Sequence, residues 1–307
     1  MSGLLSPSPA ITILLENESL RPGDKVKGKI RLECRRPIPM SEMKVSLRGK
    51  RTIKPFLTYR TKKFLKKDCT LWTSDNGHRN EIPPGTHFYT FSFTIPKHLF
   101  VPSFRGTIGN IKYYIKVTPN FDIHSTTKIY KEFILKFGNE PVVKLTRTEP
   151  NDPVEQLKEN VKLTTTVSDN LIHQGMLLNV SAHLQNLSTT KTIRKIRFKL
   201  VQETNYHTCH KDCVKMEKSC NAQETVTLAK TAMEEYLVPC FQNINIVHMF
   251  TVPSELYCTF SDGMISNGFK VVVELYTGRV FDGKPLVFEH KLKALDSAPI
   301  DGSVMVL

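Results

Sequence analysis

Apolar and polar residues alternate one for one along most of this 307-residue chain. A period of two is what a strand needs when one face is buried and the other is wet. Val26, Gly28, Ile30 and Leu32 alternate with Lys27, Lys29 and Arg31; Val45 and Leu47 alternate with Lys44, Ser46 and Arg48. Phe91, Phe93 and Ile95 are spaced by Ser92 and Thr94, and Ile111, Tyr113, Ile115 and Val117 by Lys112, Tyr114 and Lys116. Turn-forming clusters separate the runs, among them Arg21-Pro22-Gly23-Asp24, Pro83-Pro84-Gly85 and Ser261-Asp262-Gly263. Only Asp152 to Leu163, following Pro150 and containing Pro153, has the composition for a helical turn or two. The pattern predicts an all-β protein whose strand spacing suits immunoglobulin-like sandwiches.

At roughly 150 residues per domain the length predicts two domains, and the chain repeats itself to match. Gly23, Val26, Ile30 and Leu32 recur as Gly175, Leu178, Ala182 and Leu184; Val45 and Leu47 recur as Phe198 and Leu200. Phe93-Thr94-Ile95-Pro96 recurs as Phe250-Thr251-Val252-Pro253, and the block from Ile111 to Val117 as Phe269 to Leu275, an offset of 158. Four blocks in one order predict two copies of one sandwich. The expected division is an N-terminal domain over 1–145, a linker over 146–160 and a C-terminal domain over 161–307.

The two halves differ sharply in charge. Residues 1–150 hold 27 Lys and Arg against 12 Asp and Glu, whereas residues 151–307 hold 16 against 17. Within the first half, residues 35–67 carry twelve cations and one acid, Glu42. That asymmetry implies an anionic partner: a phosphorylated or acidic peptide, an acidic leaflet or nucleic acid. The alternative is a solvated sheet face kept soluble by lysine. Arg48, Arg51, Arg60, Lys62, Lys63, Lys66 and Lys67, interleaved with Tyr59, Phe64 and Leu65, are the candidate residues for phosphate or lipid. Nucleic acid has no motif in its favour.

Enzyme chemistry finds little support. Gly23 to Lys29 satisfies Gly-x4-Gly-Lys, but Ile30 stands where a phosphate loop needs Ser or Thr, and the segment alternates as a strand. No Gly-x-Ser-x-Gly, His-Glu-x-x-His or Gly-x-Gly-x-x-Gly occurs. The expectation is a non-enzymatic binding module without a cofactor. His207, Cys209, His210, Cys213 and Cys220 are the one concentration of soft ligands, yet their spacing lacks Cys-x2-Cys. They are the candidates for zinc against a plainer expectation of an exposed loop with reduced thiols. Seven scattered cysteines suit a reducing compartment. Neither a signal peptide nor an 18-residue apolar run is present in the sequence, so an intracellular protein is expected. The sequons at Asn17, Asn179 and Asn186 then carry no weight, and Trp72, the single tryptophan, is expected to anchor a hairpin.

The same blocks resemble the arrestin clan. Arg21-Pro22-Gly23-Asp24-Lys25-Val26-Lys27-Gly28, Val45-Ser46-Leu47-Arg48-Gly49, Ile82-Pro83-Pro84-Gly85-Thr86-His87-Phe88 and Ile108 to Val117 are similar to the N-terminal domain of alpha-arrestins, the arrestin domain-containing proteins. Asn186-Leu187-Ser188, Ile196 to Gln202 and Tyr206-His207 are similar to their C-terminal domain. The resemblance implies two tandem arrestin-like sandwiches and a cytoplasmic adaptor, peripheral to plasma membrane or endosomes. Such a protein binds membrane-protein tails and directs endocytic or endosomal traffic. It also implies ubiquitin-ligase partners, although no Pro-Pro-x-Tyr occurs in these residues. The alternatives are a structural subunit resembling retromer's arrestin-like component and a basic sandwich that binds nucleic acid.

Overall fold

The computed structural model describes residues 9–54, 60–74, 81–99, 101–121, 128–136, 152–207, 221–277 and 284–294. The chain divides into two compact units, Met1–Gly138 and Asn139–Leu307. Both are all-β; among the described residues there is no helix, and so none long and apolar enough to cross a membrane.

Ten strands build the described part of the N-terminal unit: β1 (Ala10–Leu15), β2 (Ser19–Leu20), β3 (Lys25–Cys34), β4 (Ile38–Ile53), β5 (Arg60–Thr73), β6 (Glu81–Ile82), β7 (Gly85–Thr94), β8 (Phe104–Arg105), β9 (Gly109–Phe121) and β10 (Ile129–Leu135). A three-stranded sheet in the order β1-β3-β7 lies on a larger one in the order β2-β10-β9-β4-β5, to which β6 and β8 add at β4 and β9. Alternation does the sorting. Val26, Ile30 and Leu32 of β3, Val45 and Leu47 of β4, and Ile111, Tyr113, Ile115 and Val117 of β9 are all but sealed from solvent, while Lys25, Lys27 and Lys29 point out. Tyr113 keeps its hydroxyl satisfied by donating to the Val101 carbonyl at 2.5 Å.

Gly28, in the middle of β3, is there for clearance. A Cβ would sit 2.8 Å from Phe91 Cζ and inside contact distance of the Leu14 carbonyl oxygen. Gly23, at φ 94°, makes the turn before β3. The Gly-x4-Gly-Lys spacing therefore belongs to a turn and a close strand approach.

The C-terminal unit repeats the plan with β11 (Val154–Lys158), β12 (Val161–Val167), β13 (Leu171–Ile172), β14 (Leu177–Asn186), β15 (Ile193–His207), β16 (Asn221–Lys230), β17 (Glu234–Val238), β18 (Asn243–Thr251), β19 (Phe260–Ser261), β20 (Ile265–Tyr276) and β21 (Leu286–Ala294). Its sheets run β11-β12-β14-β18 and β13-β21-β20-β15-β16, with β17 and β19 added to the second. Val180, Leu184, Leu200, Val271 and Leu275 are among the wholly buried residues of its core.

Two expectations change here. Asp152 to Leu163 holds no helical turn: β11 and β12 pair as a hairpin through Glu159 and Asn160, at φ 48° and 61°. Two consecutive positive φ values are what a two-residue hairpin loop demands, and the strand reaches back into the stretch expected as linker. The fourth repeat block is also displaced. Val45 stands opposite Val117 and Phe198 opposite Val273, and Phe104 stands opposite Ile111 as Phe260 does opposite Asn267. β9 therefore corresponds to β20 at an offset of 156 (117 to 273, 111 to 267), not 158. A slip of two keeps every side chain on its face, so the apolar pattern cannot register it.

Candidate anion-binding face

Four strands of the larger N-terminal sheet set out a charged surface. Residues directly opposite on neighbouring strands share a face, and β4 runs regularly from Lys44 to Ile53 against β9. With Val45 and Leu47 turned to the core, Lys44, Ser46, Arg48 and Lys50 of β4 turn outward, and with them Lys112, Tyr114 and Lys116 of β9. On β5 the outward partners are Asp68, Lys66 and Lys63; on β10 they are Tyr130 and Glu132. Seven cations (Lys44, Arg48, Lys50, Lys63, Lys66, Lys112 and Lys116) thus share this face with three carboxylates, Glu42, Asp68 and Glu132.

The carboxylates are all engaged. Asp68 lies 2.7 Å from Arg48 and 3.4 Å from Lys66, Glu132 lies 2.7 Å from Lys112, and Glu42 lies 2.7 Å from Lys44. Lys50, Lys63 and Lys116 have no carboxylate at salt-bridge distance among the described residues. Lys50 Nζ instead sits 5.4 Å above the Tyr114 ring, and Tyr114 meets Tyr130 edge-on at 5.5 Å. Burial, with the charges of Lys128, Arg48 and Lys63, holds the Lys116 ammonium below its ordinary value against the opposite pull of Asp68. Asp68 is lowered as well, for a different reason. Burial alone would raise its carboxyl, but the Ser46 hydrogen bond and the cations Arg48 and Lys66 hold it below the ordinary range.

The seven residues singled out from sequence do not form one patch. Arg48, Lys63 and Lys66 belong to the outward face just described. Arg51 and Lys62, opposite each other, lie on the other side of the sheet, where the Arg51 guanidinium stacks 5.5 Å from the Phe64 ring. Lys67, opposite the buried Leu47, crosses toward the smaller sheet and donates to the Thr94 carbonyl at 2.7 Å. Arg60 opens β5 opposite Ile53, half-buried. Strand alternation separates the neighbours, and an irregularity in β5 decides the grouping: Gly49 faces Leu65 but Lys50 faces Lys63, so Phe64 is an inserted residue that puts Lys63 on the face of Lys66.

Residues outside that list complete the face: Lys44, Lys50, Lys112 and Lys116. Their signal was the polar half of the alternation in β4 and β9, which carries the outward side as reliably as the apolar half carries the core. A second stripe, Lys25, Lys27, Lys29 and Arg31, runs along the outer side of β3.

Of the five zinc candidates, His207 ends β15 and its Nδ1 lies 3.0 Å from Asn221 Oδ1. Cys209, His210, Cys213 and Cys220 lie outside the described residues. Among those that are described, no three His, Cys, Asp or Glu side chains gather in a way that could hold a metal ion. Trp72 lies half-buried in β5 opposite Met43, in the strand pair itself.

Two family models match the chain. Residues 11–135 match "Arrestin (or S-antigen), N-terminal domain", and residues 158–291 match "Arrestin (or S-antigen), C-terminal domain".

Proposed function

We propose, from the premise that this chain belongs to the arrestin family through both of its domains, that it is a non-enzymatic trafficking adaptor of the alpha-arrestin kind. It binds the cytoplasmic tails of membrane-protein cargo and works at the periphery of the plasma membrane or endosomes. The observation that carries the reading is the confinement of the excess charge to one of two like domains, 27 cations against 12 acids before residue 150 and 16 against 17 after it. A fold that needed lysine only for solubility would have no reason to spend it on one copy. Pro83-Pro84-Gly85-Thr86 lacks the tyrosine of a ligase-binding motif, so that turn does not itself recruit a ubiquitin ligase.

Affinity purification from cells of the source organism, read by mass spectrometry, tests it. The wild type should retain membrane proteins, and neutralising Lys63 and Lys66, the two of the four β5 lysines on the outward face, should shed them. A fixed set of coat subunits indifferent to the mutation would replace the adaptor with a structural coat component. Retention by nucleic acid alone would replace it with a nucleic-acid-binding sandwich.

A further inference from the structure

The C-terminal unit is an internal reference for the N-terminal one, because pairing registers place the same sheet positions in correspondence. In the C-terminal unit the outward face of the larger sheet closes on itself. Lys270 lies 2.5 Å from Glu203 and 2.8 Å from Glu289, and Lys199 lies 2.5 Å from Glu274. Glu203 faces Gly268 across the ladder as Lys50 faces Lys112, and Val272 faces Glu289 as Lys116 faces Tyr130. The triplet Glu203, Lys270, Glu289 is therefore occupied in the N-terminal unit by Lys50, Tyr114 and Tyr130. The position of Glu274, which faces Arg197, is held by Thr118, which faces Lys44. At three positions where one copy carries a carboxylate, the other carries lysine, tyrosine and threonine.

The architecture does not demand those lysines, since its second copy carries Glu203, Gly268 and Val272 where the first has Lys50, Lys112 and Lys116. Edge protection does not explain them either. Charge on β5, the outermost strand, serves to keep an open edge from pairing, but β4 and β9 are interior strands. The row Lys63, Lys50, Lys112 sets like charges directly opposite on three adjacent strands, relieved only at the Lys112 end by Glu132, an arrangement that costs stability unless a further anion relieves it. The cations spread across strands about 4.8 Å apart and so form a two-dimensional field; a single extended peptide would be met by a line. Along β10 the field is bordered by Tyr130 and Ile134, 53% and 56% exposed. Cations beside exposed aromatic and aliphatic side chains fit the headgroup level of a membrane.

We infer that the outward face of β5, β4, β9 and β10 binds an anionic lipid leaflet, with Lys50, Lys63, Lys112 and Lys116 as its headgroup contacts and Tyr130 and Ile134 at its apolar border. It rests on the adaptor reading only in placing the protein at a membrane, and its test is cell-free.

Purified full-length protein is sedimented with phosphatidylcholine vesicles, with and without phosphatidylserine, at low salt. The wild type should partition onto the serine-containing vesicles and release as salt rises. Lys50→Glu with Lys116→Val installs the residues of Glu203 and Val272. It should weaken partitioning by about 25-fold or more, each near-surface lysine being worth about fivefold. Its melting temperature should hold or rise, because the row of three lysines gains an acid. Lys27→Glu with Lys29→Val, an equal change of charge on the outer side of β3, should leave most of the partitioning intact. Equal loss in both variants would reduce the effect to net charge and overturn the site. No partition by the wild type, with retention of a polyglutamate peptide instead, would overturn the leaflet in favour of an acidic polypeptide. Either result leaves cargo capture in cells to stand or fall separately.

Discussion

Arg48 and Asp68 meet at 2.7 Å between β4 and β5, and Ser46 ties them together, donating to Asp68 at 2.6 Å and accepting from Arg48 at 3.2 Å. Asp68 is the one acid of β5, and it moderates the basic face from within. Asp68→Asn should tighten binding to anionic vesicles several-fold. Its cost in denaturant unfolding at neutral pH should stay under about 1 kcal/mol, because the carboxylate is 41% exposed and screened. The carboxyl is held below its ordinary value, so its stabilisation is whole above about pH 3.9 and is lost as pH falls through the lowered value. The stability gap between wild type and variant should therefore close in strong acid.

His290 tests the C-terminal unit by pH. It is 3% exposed, with Nδ1 3.1 Å from Thr165 Oγ1 and Nε2 3.0 Å from Asn170 Oδ1. Burial lowers its pKa, a hydrogen bond with Thr165 opposing in part. The neutral ring is thus the folded form. Its contribution is complete above the unfolded value of about 6.5 and is lost as pH falls from there through the folded one. Melting curves should drop between neutrality and mild acid, and His290→Gln should flatten that drop while lowering stability at neutral pH. His248, also lowered by burial against the raising effect of Glu234, will keep the slope from vanishing.

Asn186 is the polar residue on which the turn after β14 depends. It is fully buried, and its Nδ2 donates to the carbonyls of Lys191, Val238 and Pro239 at 2.8, 3.0 and 3.0 Å, while Oδ1 accepts from the Ser188 amide. Asn186→Ala removes the donor shared by three carbonyls, the Val238 one buried, and should cost about 1–3 kcal/mol. Asn186→Asp, which offers no donor, should be at least as harmful. Urea unfolding measures both.

Phe241 sits at φ 59° and 71% exposed. An aromatic residue in the left-handed region is strained by roughly 1–2 kcal/mol, and little burial offsets it here. Phe241→Gly should leave stability unchanged or raise it by up to about 1 kcal/mol. A loss larger than that would assign the ring a packing role not visible in its exposure.

Strand identity was legible because each strand buries one face, so β3, β4 and β9 print their geometry as alternation. Two things were not. Alternation is blind to a slip of two, so it cannot tell which part of β20 answers to β9. An inserted residue leaves no periodic trace either. The run 60–67 is split by alternation in any case, but only the inserted Phe64 decides that Lys63 shares the face of Lys66, and Lys62 that of Lys67. The hairpin at Glu159-Asn160 is hidden for a related reason: only backbone dihedrals distinguish it, and glutamate is an unusual choice for φ above zero. Lys50, Lys112 and Lys116 were in plain sight, but their importance emerges only when the two copies are set position against position.

β11 closes the outer edge of β12 and is tied across the sandwich to β21: Gln156 Nε2 donates to the Glu289 carbonyl at 2.7 Å, Glu289 N donates back to Gln156 Oε1 at 3.2 Å, and Lys158 Nζ donates to the Val287 carbonyl. The C-terminal family match begins at residue 158, one strand too late. A fragment excised there would lose a lateral seal and expose the backbone of β12 as a sticky margin, so a unit meant to stand alone has to include β11 from Val154.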